Sequence, residues 1–177
     1  MLVALLALLP AAGTAQGSLH AGGSAAVPLA RLGDIAELGF QTGLGATFAL
    51  GRGRAVVGIE GFYGRNAHRI AGERSDLYGA TVRAGYAIPF ASDVRLTPWV
   101  GLAGAVHARK SEPYPGLEAS RRGLSLTGGA TLSKGVGGIR VFASAFYLRG
   151  LGRLGGDTFP TELVSLGGGI EVPLGLD

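Results

Sequence analysis

The sequence predicts an all-β chain that forms a closed, antiparallel, up-and-down, eight-stranded transmembrane β-barrel. First, apolar residues alternate with small or polar residues in eight separate segments, which is the period of a β-strand. Second, only 16% of the residues are charged while 33 of the 177 are glycine, a composition that disfavours both long helices and a charged soluble surface. Third, short and long links alternate along the chain, as in a meander whose two ends differ.

Each segment is long enough to cross a bilayer as a tilted strand, which needs about 9 to 11 residues. Helical periodicity is lacking over any useful length, and after residue 12 no apolar run approaches the ~20 residues of a spanning helix. The eight strands are expected near residues 18–28, 37–50, 54–64, 77–90, 95–108, 122–134, 138–149 and 161–174.

The first 15 residues, MLVALLALLPAAGTA, form a short apolar segment that ends in small residues. This pattern is typical of a secretory signal peptide cleaved after Ala15, so we expect a signal peptide over residues 1–15 and one barrel domain over residues 16–177. No Lys or Arg precedes the apolar part, which leaves the true start codon open. The chain has no cysteine, which excludes disulfides, thiolate metal sites and an acylated cysteine.

The links between the segments fall into two classes. Three are turn-like by composition: GRGR, ASDV and GVGG. Four are longer and polar: PLARLGDIA, NAHRIAGERSDL, RKSEPYPGLEASR and GLGRLGGDTFP. Because the two classes alternate, both termini fall at the short-turn end, which is the wiring of an outer-membrane barrel with periplasmic turns and four long extracellular loops.

The two faces of each predicted strand differ strongly. From Leu38 to Leu50 every second residue is apolar or threonine, while the residues between are mostly glycine and other small types. In other segments the charged residues, such as Glu60 and Arg83, share the face of the small ones. Small residues and paired charges fit the narrow interior of eight strands, whereas Lys or Arg facing lipid at mid-bilayer costs about 2–4 kcal/mol. The polar side chains expected inside are therefore Glu60, Arg83, Arg95, Trp99, His107, Arg140 and Glu171.

Aromatic residues on the outward faces fall into two bands, which predict the interfacial girdles of a membrane barrel. The β-propensity of aromatic residues is the alternative explanation. The band at the long-loop end comprises Phe40, Tyr63, Tyr78 and Tyr147, and the band at the short-turn end comprises Phe48, Tyr86 and Phe90.

Over the whole mature chain, this architecture resembles the small eight-stranded outer-membrane barrels, the family of OmpX and of the transmembrane domain of OmpA. The resemblance implies a polar interior without a wide pore, in which Glu60 pairs with Arg83 and Arg140 pairs with Glu171. It also implies outer-membrane lipid and lipopolysaccharide as partners, insertion by the barrel assembly machinery, and a monomer in the outer membrane of a Gram-negative-type bacterium.

No catalytic, cofactor-binding or metal-binding constellation is predicted, and the chain is not expected to be an enzyme. The three histidines, His20, His68 and His107, lie on different segments without a second ligand at metal spacing. Ser111 and Glu112 follow His107, but HARKSE differs from the His-x-Ser arrangement of the lipid A deacylases. The net charge of +4 comes from scattered arginines, so no nucleic-acid partner is expected.

The expected role is structural, or one of adhesion or recognition, through the four long loops. Three alternatives are open: a narrow channel or carrier for small molecules, a rim enzyme acting on lipid A or phospholipid, and a soluble lipocalin-like binder. The charged interior favours a plug over a pore. The scarcity of Lys and Glu on the strand faces opposes a soluble barrel.

Overall fold

Nine strands and one short helix follow one another in the computed structural model, which describes residues 16–50, 54–114, 116, 119–151 and 162–174. The predicted signal peptide lies outside the described residues, as do residues 152–160 of the predicted link GLGRLGGDTFP. The elements are β1 (Gly17–Pro28), α1 (Ala30–Ile35), β2 (Ala36–Leu50), β3 (Ala55–His68), β4 (Glu73–Tyr86), β5 (Ile88–Ala91), β6 (Val94–Ser111), β7 (Ala119–Val136), β8 (Ile139–Gly150) and β9 (Glu162–Leu174).

The strands close into a ring because β1 pairs with β9 as well as with β2, and every neighbouring pair is antiparallel. β5 continues β4 beyond Ala87, whose backbone N–H donates to the carbonyl of Arg54 at 2.7 Å, and both strands pair with β6. Because β4 and β5 together occupy one position in the ring, the nine strands form an eight-stranded barrel. The predicted closed eight-stranded antiparallel barrel is confirmed.

The closing pair of β1 and β9 is rich in glycine. Gly22 lies opposite Gly169, and Gly23 lies opposite Gly168. A Cβ added to Gly22 would lie 2.9 Å from the carbonyl oxygen of Gly168 and 3.0 Å from the ring of Phe142. The ring of Phe142 thus occupies the space that side chains of the closing pair would otherwise need.

The barrel is apolar outside and polar inside, the reverse of a soluble sheet. Leu38 and Leu44 are each 67% exposed, and most large apolar residues of the strands point outward in the same way. Polar side chains such as Gln41, Thr127 and Ser165 are buried in the lumen. Lipid is the environment that accepts an apolar exterior of this extent. Among the described residues, no helix has the length and apolar character needed to cross a bilayer.

The two ends of the barrel differ. Of the described residues, the turn end carries Arg54, 92–93 and 137–138, where Gly137 and Gly138 both adopt positive φ in the tight link predicted from GVGG. The loop end carries the described residues 29–35, 69–72, 112–114, 116 and 151. Two of its links are shorter than predicted, because β3 runs on to His68, β4 starts at Glu73, and β6 ends only at Ser111. Above the lipid both faces of a strand are polar, so the alternation that marks a strand fades while its backbone pairing continues.

Candidate functional site

A cluster of three polar side chains crosses the middle of the lumen. Nε2 of His20 lies 2.9 Å from Oε2 of Glu60 and 3.2 Å from Nη2 of Arg83. Nη1 of Arg83 lies 3.2 Å from the same oxygen of Glu60. The structure therefore brings together Glu60 and Arg83, as the sequence predicted, and adds His20 as a third member. We call these three residues the central ion cluster.

The glycine-rich face of β2 makes room for this cluster. A Cβ added to Gly43 would lie 2.6 Å from Oε1 of Glu60, and a Cβ added to Gly45 would lie 2.7 Å from Nε2 of His20. Real side chains do not approach so closely, so a side chain at residue 43 must displace Glu60, and one at residue 45 must displace both His20 and the backbone carbonyl of Ile59. The nearly empty face of this strand is thus the space into which the side chains of β1 and β3 extend.

Aromatic rings flank the central ion cluster on both sides. The guanidinium of Arg83 lies over the ring of Trp99, 5.3 Å from its centroid, in cation–π geometry. The ring of Trp99 lies 6.0 Å from that of Phe146, and the ring of His20 meets Phe142 edge-on at 6.4 Å. These rings pack beside the charges inside the lumen.

An apolar layer lies between the central ion cluster and the loop end. On β3, Phe62 is two residues beyond Glu60 toward the loop end, and on β4, Leu77 is six residues beyond Arg83 in the same direction. All of its members are buried and belong to one cluster of packed apolar side chains. The apolar layer comprises Phe62, Leu77, Ala103, Ala105, Leu148 and Leu163.

A small cavity of about 120 Å³ surrounds the central ion cluster and is also lined by Arg95, Thr97 and Glu171. Arg140 and Glu171 lie opposite each other in the register of β8 and β9, but their side chains do not pair. The guanidinium of Arg140 donates instead to Oγ of Ser133 at 3.2 Å and to the carbonyl oxygen of Asp93 at 3.1 Å.

The predicted pair of Arg140 with Glu171 is thus replaced by two separate interactions. The short turn at Asp93 brings a carbonyl oxygen into reach of Arg140, which lies at the turn end of β8. The carboxylate of Glu171 interacts electrostatically with Arg83. The strand register therefore predicts that the backbones of Arg140 and Glu171 lie opposite each other, but it does not predict the direction of the long Arg140 side chain. That side chain extends toward Ser133 and Asp93 instead.

A second polar network lies inside the barrel at the loop end. Nδ1 of His68 lies 3.2 Å from Oε2 of Glu73, and its Nε2 lies 2.7 Å from Oγ of Ser75. Arg109 donates to Oε2 of Glu73 at 2.6 Å, and Ser111 donates to Oε1 at 3.4 Å. We call these five residues the rim network. Its members come from β3, β4 and β6, at positions that the sequence assigned to loops.

His107 is too far from Ser111 and Glu112 to form a hydrolytic site with them. Its side chain is buried in the lumen, opposite Leu77 in the register of β4 and β6. Ser111 is four residues farther along the same strand, roughly 13 Å away, and it belongs to the rim network. Glu112 is exposed and meets Arg74 at 3.5 Å. The structure does not bring His107, Ser111 and Glu112 together.

The outward face at the loop end carries a basic cluster around one carboxylate. Asp76 is buried beneath Arg65, Arg74 and Lys110, at 2.7, 3.7 and 3.9 Å. The hydroxyl of Tyr63 donates to the same carboxylate at 3.0 Å. We call Arg65, Arg74 and Lys110 the outer basic cluster. Its three cations exceed the one anion that they surround.

The predicted aromatic girdles face outward on the strands. At the loop end, Phe40 and Tyr63 lie 6.1 Å apart, and the hydroxyl of Tyr147 donates to Glu162. The remaining outward aromatics are Phe48, Tyr78, Tyr86 and Phe90.

The described residues contain no group of three or more His, Cys, Asp or Glu side chains that could hold a metal ion.

No protein-family model matches the sequence, and no curated protein matches it at a significant level. Solved structures do match. Neisserial surface protein A superimposes with a TM-score of 0.66 at 16% identity, over 88% of this chain and 96% of that protein. Ail, the attachment invasion locus protein of Yersinia pestis, has a TM-score of 0.49 at 17% identity over 89% of this chain and 97% of its own.

The N-terminal barrel domain of Pseudomonas aeruginosa OprF also has a TM-score of 0.49, at 14% identity over 89% of this chain and 99% of that domain. Identities this low show the fold alone. The fold of the chain is that of the small eight-stranded outer-membrane barrels, as its sequence pattern predicted.

Proposed function

We propose that this chain is a monomeric, non-conducting barrel of a bacterial outer membrane that acts through its loop end, in a structural or recognition role at the cell surface. The observation that carries this proposal is the closed lumen. The central ion cluster and the apolar layer block the barrel at two successive heights. A channel needs a continuous polar path, and among the described residues the apolar layer lies across the lumen where such a path would run.

The spacing of the aromatic girdles supports a bilayer position with the loop end outside the cell. On β4, Tyr78 and Tyr86 are eight residues apart, roughly 27 Å along a strand and about 20 Å along the membrane normal at a tilt near 40°. Phe90 extends this span by another four residues. The apolar band of such barrels is about 25 Å tall, so one bilayer accommodates the region between the girdles.

The outer basic cluster supports lipopolysaccharide as the partner. It lies directly beyond Tyr63 and Tyr78, at the height where the phosphates of an outer leaflet begin. Its cations face outward and remain partly exposed, and the three of them face two carboxylates, the buried Asp76 and the exposed Glu112. Each Lys or Arg near an anionic lipid surface contributes about 1 kcal/mol to binding.

Planar-bilayer recording of the refolded chain tests the closed lumen. The parent protein is expected to give no channel steps, with a wide porin inserted under the same conditions as the positive control. Regular single-channel steps from the parent protein would refute the closed barrel and favour the channel alternative.

Lipid recognition is tested by titrating lipopolysaccharide into the barrel in detergent and following its unfolding temperature. The double variant Arg74→Gln/Lys110→Gln is expected to bind about 2 kcal/mol more weakly, because two cations are lost. Lys134→Gln removes one outward cation at the turn end and serves as the matched control. Equal stabilisation of all three proteins would contradict a phosphate site at the outer basic cluster.

A further inference from the structure

The rim network contains a serine, a histidine and a carboxylate in one hydrogen-bonded line. His68 ends β3 and Glu73 begins β4, and Ser75, which lies opposite Asn66 of β3, is on the same inward face. The separations are 2.7 Å from Ser75 Oγ to His68 Nε2 and 3.2 Å from His68 Nδ1 to Glu73 Oε2. Both distances are within the reach that nucleophilic catalysis by an activated serine needs.

The chemistry of the partners fixes which nitrogen of His68 holds the proton. Arg109, at 2.6 Å, keeps Glu73 as a carboxylate, which accepts hydrogen bonds only. Nδ1 of His68 must therefore carry the hydrogen that Glu73 accepts. In a neutral ring, Nε2 then accepts the hydrogen bond from the hydroxyl of Ser75. This is the tautomer in which a histidine can take the proton of a serine nucleophile.

A separate observation gives the triad a neighbouring donor that has no partner. Arg109 lies opposite Ser75 in the register of β4 and β6. Nη2 of Arg109 binds Glu73, whereas its Nε is buried and has no hydrogen-bond partner. Buried donors are nearly always paired, so an unpaired N–H on a side chain that contacts the triad suits an acceptor that arrives with a substrate. A developing oxyanion is such an acceptor.

We infer that Ser75, His68 and Glu73 form an ester-hydrolysing triad at the loop end of the lumen. Oγ of Ser75 bonds to the carbonyl carbon of an ester while its proton passes to Nε2 of His68, and Glu73 stabilises the resulting imidazolium. The tetrahedral intermediate, with its oxyanion facing Nε of Arg109, breaks the carbon–oxygen bond of the ester. The alcohol leaves with the proton from Nε2, and water then cleaves the acyl-serine by the same route to give the carboxylic acid.

The position of the triad limits the substrate to small carboxylic esters that enter from the external medium. Ser75 faces the lumen, so acyl chains of lipids packed against the outer surface do not reach it. Ser75 is only 3% exposed, and the network meets solvent at the side chain of Arg109, which is 30% exposed. Rim side chains must therefore move to admit a substrate, and a small probe is the appropriate first test.

The test treats the refolded full-length barrel in detergent with diisopropyl fluorophosphate and locates the adduct by intact mass and peptide mapping. One phosphoryl adduct is expected on Ser75, and none in Ser75→Ala. His68→Gln is expected to react about 100-fold more slowly, because the general base is lost. Release of nitrophenol from p-nitrophenyl acetate should fall in parallel in both variants.

Ser165→Ala is the matched control, because Ser165 is also buried in the lumen but donates to Gln41, outside the rim network. Its labelling rate should equal that of the parent protein. Should His68→Gln not give the heat-modifiable band of a folded barrel, Glu73→Gln replaces it, since an amide that favours the other tautomer should also slow labelling at least tenfold. An unlabelled Ser75 in a folded parent barrel, or a rate that neither variant lowers, overturns the triad.

Discussion

Replacing Glu60 by glutamine removes the one negative charge of the central ion cluster while keeping the shape of the side chain. The carboxylate of Glu60 contacts His20 at 2.9 Å and Arg83 at 3.2 Å, and the side chains of Glu60 and Arg83 are 22% and 20% exposed. Breaking a fully buried ion pair costs about 3–5 kcal/mol. Because both groups are partly exposed and Glu171 still opposes Arg83, we expect a loss of about 2 kcal/mol in the free energy of unfolding.

Urea unfolding of the barrel in lipid vesicles, followed by tryptophan fluorescence, measures this loss. The only tryptophan of the chain, Trp99, lies against Arg83 and reports on the cluster directly. The double variant Glu60→Gln/Arg83→Met should lose less free energy of unfolding than the sum of its single variants. Each single variant leaves the charge of the other residue unpaired, whereas the double variant removes both charges. Glu112→Gln, at an exposed position, is the control. A loss below about 0.5 kcal/mol, or strict additivity, would refute a stabilising ion cluster.

Three further variants test other layers of the barrel. Gly45→Ala should lower stability by about 1–3 kcal/mol because its Cβ would strike the carbonyl oxygen of Ile59 and the ring of His20, whereas Gly104→Ala, with open space at that position, should be neutral in the same urea assay. Leu163→Ala should cost about 2–5 kcal/mol through the cavity it leaves in the apolar layer, and equal stability of the two proteins would show that this layer is loosely packed. Glu60→Ala should remain non-conducting in planar bilayers because the apolar layer still blocks the lumen, and channel steps would place the only barrier at the ion cluster.

The strands and their faces could be predicted from the sequence because the membrane acts on every residue of the span. Lipid requires an apolar outward face, and a narrow lumen requires small or paired residues on the other, so period two is strong from Leu38 to Leu50 and through β4. Glu60 and Arg83 could be placed together for the same reason, since both share the face of the glycines. The position of the short turns at one end of the barrel could be predicted because the short links are rich in glycine or other turn-forming residues.

The rim network could not be predicted in this way because it lies beyond the lipid. Between residues 65 and 76 both faces are polar, so the sequence resembles a loop although β3 and β4 continue to His68 and Glu73. One signal was available: extending the alternation of β4 past Leu77 places Ser75 and Glu73 on the lumen face.

The contacts of Arg140 and His20 were missed for a different reason. They depend on where long side chains extend within the lumen, and neither register nor face determines that choice.

The glycine-rich pairing of β1 with β9 has a consequence for how the barrel closes. Opposed glycines offer no side chains by which one register is preferred over another, so this stretch tolerates slippage that a side-chain-rich pair would resist. The alignment must then be set by His20 opposite Glu171, outside the run of glycines. A slip of two residues would move Glu171 away from His20 and from Arg83, so correct closure of the cylinder and completion of its polar interior occur as one event.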